Sequence, residues 1–327
     1  MIPTNSENHH QNAIEENKKH FNKDMVKLYD RHSIELSGAH YILTKLLLGF
    51  DPVNFHPKLD HSNDKDSESL GDRNLPVFGY SNKDFYVPDY ENPKNSNLLF
   101  NPNKSFNVLD FACGTGLVSQ LMVQNIGKNS KYVGIDISDD ALELFNEKCK
   151  HLSESGYNIQ SYNLDIVSEN FDSSLVREND FDVVLCTLGY HHFHDLDKVT
   201  HRLSTFLKKD GWLIIIDIHS KDLDSYKIED FNKPKIEKQT SGSVQHIGGL
   251  PYNQIKNSFN LSGNLKNYKI YLSDSFWTYM HSGFMANHSP KHILEMLKND
   301  LLESIKFDGS INYLIPQDYI VAAAQKV

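Results

Sequence analysis

The residues best placed to do chemistry lie in one run, Asn107-Val-Leu-Asp110-Phe-Ala-Cys-Gly114-Thr-Gly116-Leu117. An apolar strand ends in an acid, a small-residue turn follows at once, and a helix-like run of Leu117, Val118, Leu121 and Met122 begins. Glycine at 114 and 116 lets the backbone turn sharply and approach a ligand, and the new helix aims its first amide N–H groups at that ligand. The run does not suit a dinucleotide. Read as G-x-G-x-x-G from Gly114, the third glycine would be Ser119, and Asp110 would repel a pyrophosphate. An acid there suits a ligand with a cationic end, such as an amino acid ammonium. Asp136 closes the next apolar strand, 20 residues after Gly116, where a carboxylate can accept from both hydroxyls of a ribose. Another strand ends in Cys186-Thr-Leu-Gly-Tyr190-His-His-Phe-His-Asp195. Histidine, with an ordinary pKa of about 6.5, is suited to taking a proton from a hydroxyl.

These residues need a frame that brings strand ends together. Apolar strands are expected at 107–111, 132–136, 159–164, 181–186 and 212–216, with helices over 116–125, 139–152 and 195–208 between them. Near-continuous apolar strands alternating with helices mean an α/β fold, a doubly wound and mostly parallel sheet covered on both faces. The carboxyl ends of such strands line a ligand crevice. Ahead of the sheet, residues 1–17 read as a disordered tail, and 18–105 as N-terminal helices, to about Phe50, with a long irregular connection, together a cap. Residues 218–284 break the alternation. They are polar yet rich in aromatics, including Tyr226, Phe231, Tyr252, Phe259, Tyr268, Phe276, Tyr279 and Phe284, and read as a lid-like insertion in a domain spanning 106–327. Ser289-Pro290 starts a helix, and strands at 303–307 and 319–324 are expected to form a hairpin closing the sheet. No internal repeat is present.

The D-x-A-x-G-x-G run with its leading acid resembles motif I of class I S-adenosylmethionine (SAM)-dependent methyltransferases, in most of which the position of Ala112 is glycine. The resemblance covers 107–216 strongly and 289–327 less so. It implies a Rossmann-like seven-stranded sheet: five parallel strands, then a hairpin that sets an antiparallel strand beside the fifth. It implies SAM as cofactor, cradled by Ala112, Cys113, Gly114 and Gly116. Asp110 would orient the turn and the methionyl ammonium. Asp136 would hold the ribose and Ile137 lie on the adenine. Asp165 and the backbone N–H of Ile166 would meet the adenine edge, and Thr187 would border the cofactor after the fourth strand. Tyr29, in a segment Lys19-His-Phe21…Leu28-Tyr29-Asp30 that resembles an N-terminal helix signature of small-molecule members, would cover it. The segment 190–195 resembles the H-H-[FLW] stretch of many small-molecule methyltransferases and puts His191, with His192 beside it, on the catalytic base.

The expected reaction is transfer of a methyl group from SAM to a small-molecule acceptor, oxygen (hydroxyl or carboxylate) ahead of nitrogen. The alternatives are a protein methyltransferase and a non-catalytic SAM-binding regulatory subunit. The chain of 327 residues carries a net charge of −10, which gives no support for a phosphate-binding face, so no nucleic acid partner is expected. The Asn/Asp-Pro-Pro-Tyr/Phe motif of base- and glutamine-directed enzymes is missing after the fourth strand. No metal is expected: His191, His192 and His194 lack an i,i+4 pair and no cysteine joins them at zinc spacing. The three cysteines read as reduced thiols, and the apolar runs are too short for a membrane span, which makes cytoplasm the default location and the nucleus the other option.

Overall fold

The computed structural model describes residues 5–54, 77–78, 88–168, 171–220, 244–273 and 276–327. Three helices lead in: α1 (Asn5–His20), α2 (Lys23–His32) and α3 (Ala39–Leu48). After a short strand β1 (Val77–Phe78) come β2 (Asn107–Phe111), α4 (Leu117–Gln124), β3 (Lys131–Asp136), α5 (Asp139–Glu154), β4 (Asn158–Asn163), β5 (Phe181–Thr187), α6 (Leu196–Phe206) and β6 (Leu207–Ile218). Then follow α7 (Tyr252–Leu261), β7 (Leu265–Leu272), β8 (Phe276–His281), α8 (Ser282–His288), α9 (Lys291–Lys298), β9 (Ser304–Phe307), β10 (Ser310–Gln317) and β11 (Tyr319–Lys326).

Seven strands form the central sheet in the order β4-β3-β2-β5-β6-β11-β7. All run parallel except β11, which is antiparallel to both β6 and β7. This is the expected fold, with the antiparallel strand beside the fifth. Side chains alternate between two buried layers, as the pleat requires. Val183, Leu185, Ile214 and Ile216 pack with Leu43, Leu47, Met122 and Phe145 of α3, α4 and α5. Val184, Cys186, Leu213 and Ile215 pack with Leu203 and Phe206 of α6 and Ile255 and Phe259 of α7. Two crossover helices start where a side-chain cap stands: for α5 the Ser138 hydroxyl accepts from Ala141 N (3.2 Å), and for α6 the Asp195 carboxylate accepts from Lys198 N (2.9 Å).

Four expectations change. The tail expected to be disordered over 1–17 is helical from Asn5, in a polar stretch whose Glu and Lys residues favour helix though its asparagines and histidines do so less. The single helical region 18–50 breaks twice: at Asn22, which caps α2, and at Gly38, which takes a left-handed φ of 61° after a wide π-type turn over Ser33–Ser37. The partner of the last strand is β7, from inside the stretch read as an insertion, while β9 joins a second sheet. The reason is that β7 is an edge strand, half-covered and carrying Lys and Asn, so it lacks the apolar run of a central strand. Finally, α7 and β7 belong to the body of the sheet, and the covering part begins at Phe276. Tyr226 and Phe231 lie outside the described residues.

The second sheet, ordered β1-β8-β10-β9, forms a cap with α8 and α9. It closes over the carboxyl ends of β2, β3, β5 and β6, and Thr278 of β8 donates to the Ser37 carbonyl (3.0 Å), joining the cap to the π turn. No described helix is long and apolar enough to cross a membrane.

Candidate active site

A cavity of about 260 Å³ lies between the strand ends and the cap. Its floor is the glycine turn. Asp136 holds that turn in place: one carboxylate oxygen accepts from Gly114 N (2.9 Å), the other from Ser138 N (2.9 Å). Each oxygen keeps a second lone pair, so a diol can still donate to both. Burial pushes the Asp136 carboxyl above its ordinary range, partly countered by those amide donors. Gly114 sits at φ 53° with open space where a side chain would project, which leaves room for a ligand against bare backbone.

The cavity wall includes Ala112, Cys113, Gly114, Asp136, Ile137, Thr187, His191, His192 and Tyr29, so most of the expected residues come together. Burial raises the Tyr29 phenol to about 12, with Asp30 adding to the shift. Gly116 stands just behind as the start of α4, so close to Phe145 that a Cβ would lie 2.6 Å from its ring.

Three expected residues stand elsewhere. Asp110 is buried behind the turn, accepting from the hydroxyls of Ser119 (2.6 Å) and Tyr132 (2.8 Å). It therefore braces the turn from below. Burial, partly countered by those two hydroxyls, raises its carboxyl to about 6. Asp165 turns its carboxylate to Val167 N (3.0 Å) in the bend after β4, and Ile166 is fully buried in the second core layer. Neither lines the cavity.

The turn after β5 carries the most reactive geometry. The buried His191 ring places Nδ1 2.7 Å from the Asp217 carboxylate at the end of β6, whose other oxygen accepts from His191 N (3.0 Å). A carboxylate can only accept here, so Nδ1 carries the proton and Nε2 keeps its lone pair. That Nε2 is buried and has no protein partner. Residues 244–250 clamp the turn from outside, with Gln245 N (3.1 Å) and His246 N (2.9 Å) both donating to the His191 carbonyl.

Sequence reading missed the role of Asp217, visible only as an acid after the fifth apolar strand. It also missed His288 of α8, whose ring stands edge-on to His191 at 5.2 Å. Burial, helped by His191, lowers the His288 imidazole to about 3. Of the aromatics expected to wall the acceptor, Tyr279 and Phe284 reach the cavity, while Tyr252, Phe259 and Tyr268 pack beside α6. The roof is completed by Phe21, Leu43, Met280 and Tyr319.

The cap is also tied to the floor. Asp30 of α2 accepts from the Thr115 hydroxyl in the glycine turn and pairs with Lys148 of α5. Lys148 in turn donates to the Thr115 carbonyl (3.0 Å).

The family model described as "Methyltransferase domain" matches residues 102–273, a little more than half of the chain. An uncharacterized methyltransferase, C1347.09, of Schizosaccharomyces pombe is 39% identical over 113 residues, 34% of this chain and 38% of that protein. A demethylmenaquinone methyltransferase of Listeria welshimeri is 28% identical over 134 residues, 41% of this chain and 54% of its own length. The ubiquinone/menaquinone biosynthesis C-methyltransferase UbiE of Pasteurella multocida is 29% identical over 138 residues, 41% of this chain and 49% of its own. The chain thus spans about half or less of the length of these relatives.

Proposed function

This chain belongs to the class I SAM-dependent methyltransferase family, and we propose that its acceptor is a hydroxyl group of a small, mainly apolar molecule enclosed under the cap. The observation that carries this reading is His191 Nε2, a buried lone pair at the cavity with a carboxylate behind the ring. Such a pair takes a proton from a hydroxyl and holds it while the oxygen attacks. The oxygen lone pair forms a bond to the methyl carbon of SAM, the carbon–sulfur pair stays on sulfur, and S-adenosylhomocysteine leaves. Asp217 keeps the ring in the accepting tautomer and stabilises the imidazolium.

The site supports a small acceptor over a polypeptide, since among the described residues Phe21, Tyr279, Met280 and Phe284 line the cavity opposite the glycine turn. Their apolar character suits a ring or short hydrocarbon body that carries the hydroxyl. On the cofactor side, the reading assigns Asp136 to the ribose and the Gly114 turn to the methionyl part. Asp165 and Ile166 are no longer assigned to adenine, which is left to Ile137.

A second reading has specific support. A relative bears the name of a C-methyltransferase of quinone biosynthesis. If the acceptor is a ring carbon beside a hydroxyl, the same base removes the hydroxyl proton, the electron pair reaches the carbon through the ring to take the methyl group, and that carbon's hydrogen then leaves as a proton to restore the ring. Incubating the protein with SAM and a panel of hydroxylated aromatics, followed by mass spectrometry and NMR of the products, tests both. An O-methyl product supports the first reading and a ring C-methyl product the second. No transfer to any hydroxylated compound, with SAM bound, counts against both.

A further inference from the structure

Three imidazoles converge at the cavity. His191 and His192 come from the turn after β5 and His288 from the end of α8, 97 positions further along the chain (288 − 191). One ring nitrogen of each lies within 4.8 Å of those of the other two, the one such group among the described residues. The His191 and His192 rings lie 4.2 Å apart at 38°, and His288 stands edge-on to both, at 5.2 and 6.1 Å.

The partners behind the rings decide which nitrogens are available. His288 Nδ1 lies 3.1 Å from the Phe284 carbonyl, which can only accept, so this nitrogen carries hydrogen and Nε2 keeps a lone pair. Asp217 imposes the same tautomer on His191. Two imidazoles, each with one N–H held by a carboxylate or a carbonyl and the other nitrogen left with its lone pair, repeat the arrangement that orients histidine on metals.

We propose that His191, His192 and His288 form a binding site for one divalent transition-metal ion of the zinc class. An all-imidazole donor set selects against magnesium and calcium, which take oxygen ligands. Three histidines with an open fourth position are the ligand set of a catalytic zinc site. Zinc–nitrogen bonds of about 2.0–2.1 Å require ligand atoms roughly 3.4 Å apart, so the rings draw inward by about 1 Å on binding. Because all three residues line the cavity, the open position faces the acceptor. With the ion bound, His191 Nε2 is a ligand and no longer the base: the ion would take over that part, lowering the pKa of an acceptor hydroxyl so that its proton passes to water as the acceptor binds. That role rests on the hydroxyl reading above; the site itself does not.

The test is titration of chelator-stripped full-length protein with Zn²⁺ by calorimetry and with Co²⁺ by visible absorption. One ion per chain is expected, with the intense Co²⁺ bands of a four- or five-coordinate site. His288→Gln should weaken binding more than 100-fold, beyond the ~10–100-fold expected for Asp217→Asn, which disturbs only the partner behind His191. His192→Gln serves as the second ligand variant, and near-UV circular dichroism with SAM binding shows that each variant is folded. Asp136→Ala should lose SAM yet keep the ion, so a failure of the cofactor reading is separable from a failure of the metal site. No Co²⁺ bands, or the same affinity in the folded His288→Gln and His192→Gln proteins as in the parent, would overturn the proposal and assign any bound ion to other histidines.

Discussion

The floor of the site and its roof are built in different ways. The floor is local. Ala112 to Gly116 follow β2 directly, Asp136 closes the strand paired with β2, and its carboxylate reaches back to Gly114 N over 2.9 Å. The roof and the His191 turn are assembled from residues remote in sequence: Tyr29, His191, Asp217, Tyr279 and His288 come from five separate segments. A cofactor shared by many enzymes can be held by a compact motif, whereas an acceptor is enclosed by whatever the chain folds over it. The comparison predicts that floor and roof variants separate cleanly: one set changes SAM affinity, the other turnover.

The largest expected effect is on turnover. With an acceptor in hand, His191→Gln should lower kcat by about 10²–10⁴ through loss of the base, while SAM binding measured by calorimetry stays within a few-fold. An equal loss of SAM affinity would break the division between the halves. Next comes the floor. Asp136→Ala removes the two carboxylate oxygens proposed for the ribose and frees the Gly114 amide. It should raise the SAM Kd by about 100-fold or more, at roughly 1.5–3 kcal/mol per charge-assisted hydrogen bond. Unchanged affinity would remove Asp136 from the ribose.

The halves should also answer acid with opposite sign. His32 and His40 flank the π turn, and burial lowers each to about 4, with His281 and Lys148 respectively adding to the shift. The unfolded chain therefore binds more protons at these positions between about 4 and 6.5. Their contribution is complete above 6.5 and is lost as pH falls toward 4, up to about 3 kcal/mol each. Asp110 beneath the floor is raised to about 6. There the folded state binds the extra proton, so stability falls as pH rises from about 4 to 6, by up to about 3 kcal/mol. Hydrogen exchange at pH 7 and pH 4.5 reads this directly. Amides of α2, α3 and β8 should lose protection in acid relative to those of β2 and β3. Asp110→Asn should flatten the response of the β2 region. A uniform change across both halves would contradict the shifts.

The same contrast explains what the sequence disclosed. The order of apolar strands, the glycine turn and Asp136 were legible because strand period, turn chemistry and a strand-end acid act over a few residues. The edge strand β7 was not, since its Lys and Asn interrupt the apolar residues Leu265, Tyr268, Ile270 and Tyr271 that pack inward. Nor could spacing reveal His288 behind His191, or that Asp217 would turn to an imidazole. Those pairings arise from sheet order and the cap, which no local pattern encodes. Asp165 is a case of another kind: an acid in a fitting sequence position whose carboxylate accepts from Val167 N of its own turn.

The contact between the floor and the His191 turn offers the smallest but most direct measurement. Ala112 holds a left-handed φ of 55°, where the methyl group is strained and glycine would be at ease. Its Cβ lies 2.8 Å from where a Cβ on Gly189 would stand, with Cys186 Sγ at 3.1 Å on the other side. Gly189→Ala should therefore cost about 1–3 kcal/mol by overpacking. Ala112→Gly alone should change stability by no more than about 1 kcal/mol, relief of strain being offset by the greater freedom of glycine in the unfolded chain. Combined, the two should cost less than their sum, since removing one methyl makes room for the other. A coupling of about 1 kcal/mol in urea unfolding would measure how firmly β2 and the His191 turn press together. Strict additivity would mean that the turn yields to the added methyl, and that His191 rests on a more compliant support than the close approach at Gly189 implies.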